Sequence, residues 1–194
     1  QEIEPRHLVI PNQIIDRTRQ RAVSFFGDGI VGHVSFADPF CGGLSDHLYQ
    51  TIKSIDKVPV HQNETYLCME GPLFSTRAES HLYRSWGCGI IGMTAIPEAK
   101  LAREAEICYA CVAMSTDYDC WNEEEDEVTV EMVMENMNTN VSNVKSMLKD
   151  LISKIPDLSG CSCRTAAQNA ILTDPAIIKD KKKQELGILY GKYI

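Results

Sequence analysis

The chain lacks any excess of positive charge: 19 Lys and Arg stand against 27 Asp and Glu in 194 residues, for a net charge of −8 and a pI near 5.1. That balance argues against a phosphate backbone, and hence nucleic acid, as the main partner. It also lacks long hydrophobic runs. None approaches the ~18 apolar residues of a membrane-spanning helix, which leaves no membrane partner. The opening Gln1-Glu2-Ile3-Glu4-Pro5-Arg6-His7 has neither the basic start nor the apolar stretch of a secretion signal. A cytoplasmic location is expected. An initiating methionine is missing as well, Gln1 standing first, so the natural N-terminus is expected to lie upstream. Internal repeats and linker-like stretches are absent. A content of 44% hydrophobic and 24% charged residues then suits a single domain over residues 1–194 with a core of its own.

Eight cysteines are present, at 41, 68, 88, 108, 111, 120, 161 and 163, without the density of a small secreted scaffold. Buried reduced thiols are the simplest reading. Cys108-Tyr109-Ala110-Cys111 has C-x-x-C spacing, but an odd separation within a strand sends the two sulfurs to opposite faces and argues against a shared metal or redox role. Cys161-Ser162-Cys163 follows the turn Ser159-Gly160, where the start of a helix is the plain reading and a disulfide the alternative.

Short apolar runs alternate with helix-period segments. Residues 7–11, 13–15, 32–36, 65–69, 89–93 and 107–115 read as strands, the last most clearly. Helices are predicted from about Leu44, capped by Ser45 or Asp46 with Leu48, Ile52 and Ile55 on one stripe, over 77–86 ended by Gly87, and over 97–105 opened by Pro97. A long helix over 128–155 carries Val130, Val133, Met134, Met137, Val141, Val144, Met147, Leu148, Leu151 and Ile152, with Pro156 as its stop and Met132, Met134, Met137 and Met147 as core filler. Helices over 161–172 and 181–190 follow. The acidic run Glu123–Glu127 reads as a solvated loop at a helix N-terminus. Strand alternating with helix over short connections gives the α/β class, a mixed central sheet flanked by helices.

Chemistry concentrates in three places. Thr116-Asp117-Tyr118-Asp119-Cys120-Trp121 sets two carboxylates two residues apart where the apolar run stops. In extended chain both would point to one face, and two like charges so close favour one proton-donating carboxyl. Solvated turn acids are the plain alternative. Glu70-Gly71-Pro72-Leu73-Phe74-Ser75-Thr76-Arg77-Ala78-Glu79-Ser80 joins a strand to a helix, with Thr76 and Glu79 spaced as a capping box and Phe74 and Ser75 able to offer a ring face and a hydroxyl to a flat heteroaromatic ligand. Gly92-Met93-Thr94 ends the next strand. Three successive strands stopping at polar residues predict a ligand crevice at their carboxyl ends.

These segments, with Leu101-Ala102-Arg103-Glu104, Asp16-Arg17-Thr18 and Asp38-Pro39-Phe40-Cys41, resemble the 5′-methylthioadenosine phosphorylases of the trimeric purine nucleoside phosphorylase family over nearly all of residues 1–175. The resemblance implies attack of inorganic phosphate, as co-substrate and with no cofactor or metal, on the anomeric carbon of methylthioadenosine. The products would be adenine and 5-methylthioribose 1-phosphate, within purine and methionine salvage. It implies Asp117 as the acid that protonates the leaving purine, Asp119 as acceptor for its amino group, Ser75 beside the base and Phe74 stacked on it. Met93 would contact the sugar and Thr94 the phosphate. His33 would reach from a neighbouring subunit of a homotrimer to the methylthio end, beside Val130, Val133 and Met134.

Substrate choice follows physically. Asp at the base-reading positions suits a 6-amino purine, whereas a 6-oxo group, an acceptor, favours Asn. Val130 stands where a 5′-hydroxyl would want a polar partner, and an apolar wall suits a thioether. A general purine nucleoside phosphorylase and a truncated, inactive purine-binding domain remain alternatives. The family's glycine-rich loop after its first strand and its Arg-His phosphate segment are not found; Gly27-Asp28-Gly29 and Gly42-Gly43 lack the strand and helix such a loop needs. The chain is therefore expected to be the last two-thirds to three-quarters of the family pattern, and by itself unstable and inactive.

Overall fold

The computed structural model describes residues 2–122 and 130–194. The predicted acidic loop Glu123–Glu127 and the start of the long helix at Val128 lie outside them. Four strands form one mixed sheet: β1 (Leu8–Arg17), β2 (Val60–Met69), β3 (Cys88–Gly92) and β4 (Ala113–Met114), in the order β3-β2-β1-β4. The first three run parallel, and β4 lies antiparallel to β1. Helices α1 (Gly42–Ile55), α2 (Arg77–Ser85), α3 (Ala95–Glu104), α4 (Val130–Ser153) and α5 (Asp180–Tyr190) surround it, which bears out the mixed α/β class.

Residues 7–11 and 13–15, separate in the sequence reading, are one strand. Its pairing with β2 slips at Ile10 and again at Pro11, leaving one residue out of register in each strand, Asn63 in β2 and then Asn12 in β1. An extra residue flips every later side chain to the other face. Leu8, Ile10 and Val60 accordingly pack with Ile52 of α1 and Met147 and Leu151 of α4, while Ile14, Tyr66 and Cys68 join Ile96 and Ala99 of α3 on the other side. One sheet thus serves two cores.

Several predicted elements differ. α1 begins at Gly42 with Cys41 as its N-cap and no side-chain cap hydrogen bond, the Cys41 carbonyl accepting from the Ser45 N–H at 2.8 Å, so Ser45 and Asp46 lie inside the helix and cannot cap it. The strand expected over 107–115 shrinks to Ala113–Met114, since among the described residues no other strand runs beside 107–112. Periodicity shows an extended apolar run, but a strand also needs a partner. Residues 32–36 contribute one bridge, Gly32 to Ile171. The helix expected from Cys161 is a 3-10 turn, Ser162–Thr165, followed by further turns. Of the four methionines taken as filler, Met147 is buried, whereas Met132, Met134 and Met137 are 40–49% exposed. The α2 boundaries hold: Thr76 and Glu79 form the reciprocal capping box, and Gly87, at φ 77°, turns the chain away.

The C-terminal stretch packs as a satellite. Ile30, Ala167, Ile178, Leu186 and Tyr190 form its core, with Phe26 stacked on Tyr190 at 5.0 Å between centroids. Glu106 ties it to the rest, accepting from Ala167 N–H at 3.0 Å and Tyr193 Oη at 2.8 Å and pairing with Lys192 Nζ at 2.6 Å.

Candidate active site

Asp117 and Asp119 lie past the end of β4 in irregular chain, so the same-face argument from an extended strand does not apply. Asp119 takes a left-handed φ of 62°, and a local hydrogen bond explains the bend: its N–H donates to Asp117 Oδ1 at 2.9 Å. Asp117 Oδ2 accepts from Thr116 Oγ1 at 2.7 Å. The Asp119 carboxylate is held from outside the loop by the buried Ser80 of α2, whose hydroxyl donates at 2.6 Å. The Ser80 bond from across the fold, with the local bonds of Asp117, sets both acids on one side. They line a shared cleft of about 330 Å³ together with Ser80, Tyr83, Arg84 and Trp121. Arg84 stacks over the Trp121 ring, 3.5 Å from its centroid, and closes that side.

The strand ends do not converge in the expected way. Parallel β2 and β3 deliver residues 70–76 and Met93-Thr94 to the same edge of the sheet, but antiparallel β4 ends at the opposite edge, beside Arg6 and His7. The loop after β4 reaches the β2–α2 connection by running along α2, where Cys120 Sγ meets the Ser75 carbonyl at 3.6 Å. Ser75 is thus next to the acid loop, half-buried. Phe74 is 81% exposed at the tip of its turn and does not line the cleft. Gly71, at φ 73°, sets that turn, and the Met93 thioether fills the space a side chain at Gly71 would need. Thr94 is exposed at the N-terminus of α3, near the Tyr66 hydroxyl, whose pKa burial pushes up.

Arg21 escaped the sequence reading. Its guanidinium donates to the carbonyls of Met93 (2.7 Å), Glu70 (3.0 Å) and Ile96, and pairs with the Glu70 carboxylate at 3.1 Å. One planar fork thereby fastens the ends of β2 and β3 together. Only its place at the end of the alternating basic run Arg17-Thr18-Arg19-Gln20-Arg21 marked it in the sequence, and that pattern does not name its acceptors.

On the other side, α4 is sewn to the acid loop by side-chain amides. Asn136 Nδ2 donates to the Thr116 carbonyl at 2.7 Å, and the buried Asn140 to that of Ser115 at 2.8 Å. Val133 shares this helix face by its spacing of three and seven residues, and is half-buried. Met134 is 49% exposed, and Val130 is the first residue of the helix. His33 stands away from the cleft, exposed in a loop whose N–H bonds the Ala170 carbonyl at 2.8 Å, so it is not a strand histidine.

Residues 1–153 match the model of the phosphorylase superfamily. The chain is 50% identical, over all of its length and 68% of the relative's, to the S-methyl-5′-thioadenosine phosphorylase of Geobacter sulfurreducens, and 49% identical, over 99% of its length and 68% of the relative's, to that of Thermosynechococcus vestitus. A solved methylthioadenosine phosphorylase from an Antarctic soil metagenomic library superposes with a TM-score of 0.88 at 41% identity, covering 97% of this chain and 67% of that one. An adenosine/methylthioadenosine phosphorylase of Schistosoma mansoni, a mutant in complex with adenine, gives 0.83 at 30% identity, covering 89% and 68%. The chain spans about two thirds of the length of these relatives.

Proposed function

The chain belongs to the phosphorylase superfamily, and on that footing we propose that it provides the purine-side machinery for phosphorolysis of 5′-methylthioadenosine to adenine and 5-methylthioribose 1-phosphate. The observation that carries this is the braced pair Asp117 and Asp119 on one cleft, in a chain half identical over its length to S-methyl-5′-thioadenosine phosphorylases.

A purine departs easily when its imidazole ring is protonated as the glycosidic bond breaks, and a positioned carboxyl can supply that proton. Asp117 has this role. Asp119, an acceptor braced by Ser80, receives the 6-amino group. Ser75, tied to Cys120, stays beside the base, and Phe74 provides a face for stacking. Met93, with its carbonyl fixed by Arg21, meets the sugar, and Thr94 the phosphate. Val133, Met134 and Val130 supply apolar contact for the methylthio group, joined by His33 of a neighbouring subunit in a homotrimer. The exposure of His33 supports such sharing. Phosphate is the co-substrate, no cofactor is needed, and the setting is cytoplasmic salvage of purine and methionine.

The test is adenine release from methylthioadenosine by the intact protein that carries this chain. Cleavage that requires phosphate and outpaces that of inosine is expected. Faster cleavage of inosine would support a general purine nucleoside phosphorylase, and cleavage without phosphate a hydrolase; either result overturns the assignment.

A further inference from the structure

Four cysteines from three distant stretches meet in one place. Cys41 caps the start of α1, Cys108 lies in the chain after α3, and Cys161 and Cys163 sit at the start of the 3-10 turn that follows α4. Their four sulfurs all lie within 4.8 Å of one another, and those of Cys41 and Cys161 are 3.6 Å apart. Four thiolates at about 2.3 Å around a tetrahedral zinc ion stand about 3.8 Å from each other, so closing the longest edge takes about 1 Å of movement. Side-chain rotation alone supplies that.

The donor set narrows the ligand. Sulfur without oxygen selects a thiophilic metal over magnesium or calcium, and a tetrahedral group of four sulfurs suits zinc. Cys41 and Cys163 are buried, at 2% and 4% exposure, and Cys108 and Cys161 half-buried; four protein sulfurs complete a tetrahedral shell and leave no position for a reacting water. That is the character of a structural site. Arg103, anchored on the carbonyls of Ser35 and Asp38, stands near Cys163 and places a positive charge beside the negative charge of such a centre. Cys111, the other half of the C-x-x-C spacing, belongs to the α3 core instead.

We propose that Cys41, Cys108, Cys161 and Cys163 form a structural zinc site that staples the chain after α4 to the start of α1. Each thiol gives its proton to solvent as the metal binds. The site reinforces the anchoring of the same C-terminal stretch by Glu106, two residues before Cys108. It is independent of the purine cleft, because none of the four cysteines lines that cleft.

The experiment takes the intact protein, purified under reducing conditions, and measures bound metal by elemental mass spectrometry. About one zinc per chain is expected, retained in Cys88→Ser and lost in Cys163→Ser. Because the serine variant could fail to fold, unaltered protein stripped of metal is also titrated with cobalt(II). The expected spectrum shows intense sulfur-to-cobalt charge transfer together with visible bands of a tetrahedral ion. Reduced, metal-free protein whose melting temperature and spectrum ignore zinc and cobalt would overturn the proposal, as would a native mass lower by two hydrogen atoms per cysteine pair, the mark of disulfides, or iron in place of zinc.

Discussion

The Ser80 hydroxyl of α2 and the Asp119 carboxylate of the loop after β4 are 2.6 Å apart, a short bond from a buried donor to an anionic acceptor across 39 residues of sequence. In the proposed reaction it holds the carboxylate that receives the amino group. Ser80→Ala removes that donor and leaves the carboxylate short of a partner. A hydrogen bond to a charged group contributes about 1.5–3 kcal/mol, so kcat/KM for methylthioadenosine should fall about tenfold or more. Threonine should restore part of it, whereas an unchanged value would separate the brace from catalysis.

Asp117→Asn keeps the shape of the side chain and the Oδ1 acceptor for the Asp119 N–H, with its NH2 donating to the Thr116 hydroxyl, but removes the carboxyl that would carry the transferable proton. Loss of general acid catalysis costs about 10²–10⁴-fold in rate. The expected result is a drop of that size in kcat with adenine affinity nearly retained, read by steady-state kinetics beside direct binding. A fall in affinity alone would place Asp117 in recognition.

Arg21→Ala leaves the carbonyls of Met93, Ile96 and Glu70 without their shared donor. The melting temperature should fall by several degrees, and KM should rise because the Met93 backbone loses its tether. Arg21→Lys should not rescue, since an ammonium is a point donor and cannot reproduce a planar fork. Thermal unfolding and kinetics on both variants test this.

Glu106 carries a prediction about acid. Burial pushes its carboxyl pKa up, but hydrogen bonds from Lys192, Tyr193 and the Ala167 N–H outweigh that and hold it below the ordinary carboxylate value. A group whose folded pKa is depressed contributes stability above its unfolded value, about 4.3, and loses it as pH falls through the lower folded value. Docking of residues 161–194 should therefore weaken as pH falls below about 4.3. Glu106→Gln should be less stable near neutrality and show a flatter acid limb, by urea unfolding across pH.

Local signals carried much of the fold into the sequence. The Thr76–Glu79 capping box, the glycine stop at Gly87 and the start at Pro97 after the non-helical Ile96 are bonds and torsions made within a few residues. The alternation of strand and helix likewise required no distant partner. The acid pair was visible because two carboxylates beside an apolar run are unusual wherever the chain goes. Its geometry was not. The left-handed turn at Asp119 and the Ser80 brace replace the flat strand that period-two reasoning supplies.

By itself, then, the sequence determined the α/β class, the family resemblance and the candidate residues for chemistry, since those depend on side-chain identity and short-range periodicity. The tertiary structure alone decided which of them meet. Pairing β4 antiparallel to β1, sending the acid loop along α2, setting Arg21 across two strand ends and gathering four sulfurs from positions 41, 108, 161 and 163 all depend on contacts between segments tens of residues apart. Such contacts are selected by how the whole chain packs, and no local window of residues contains them.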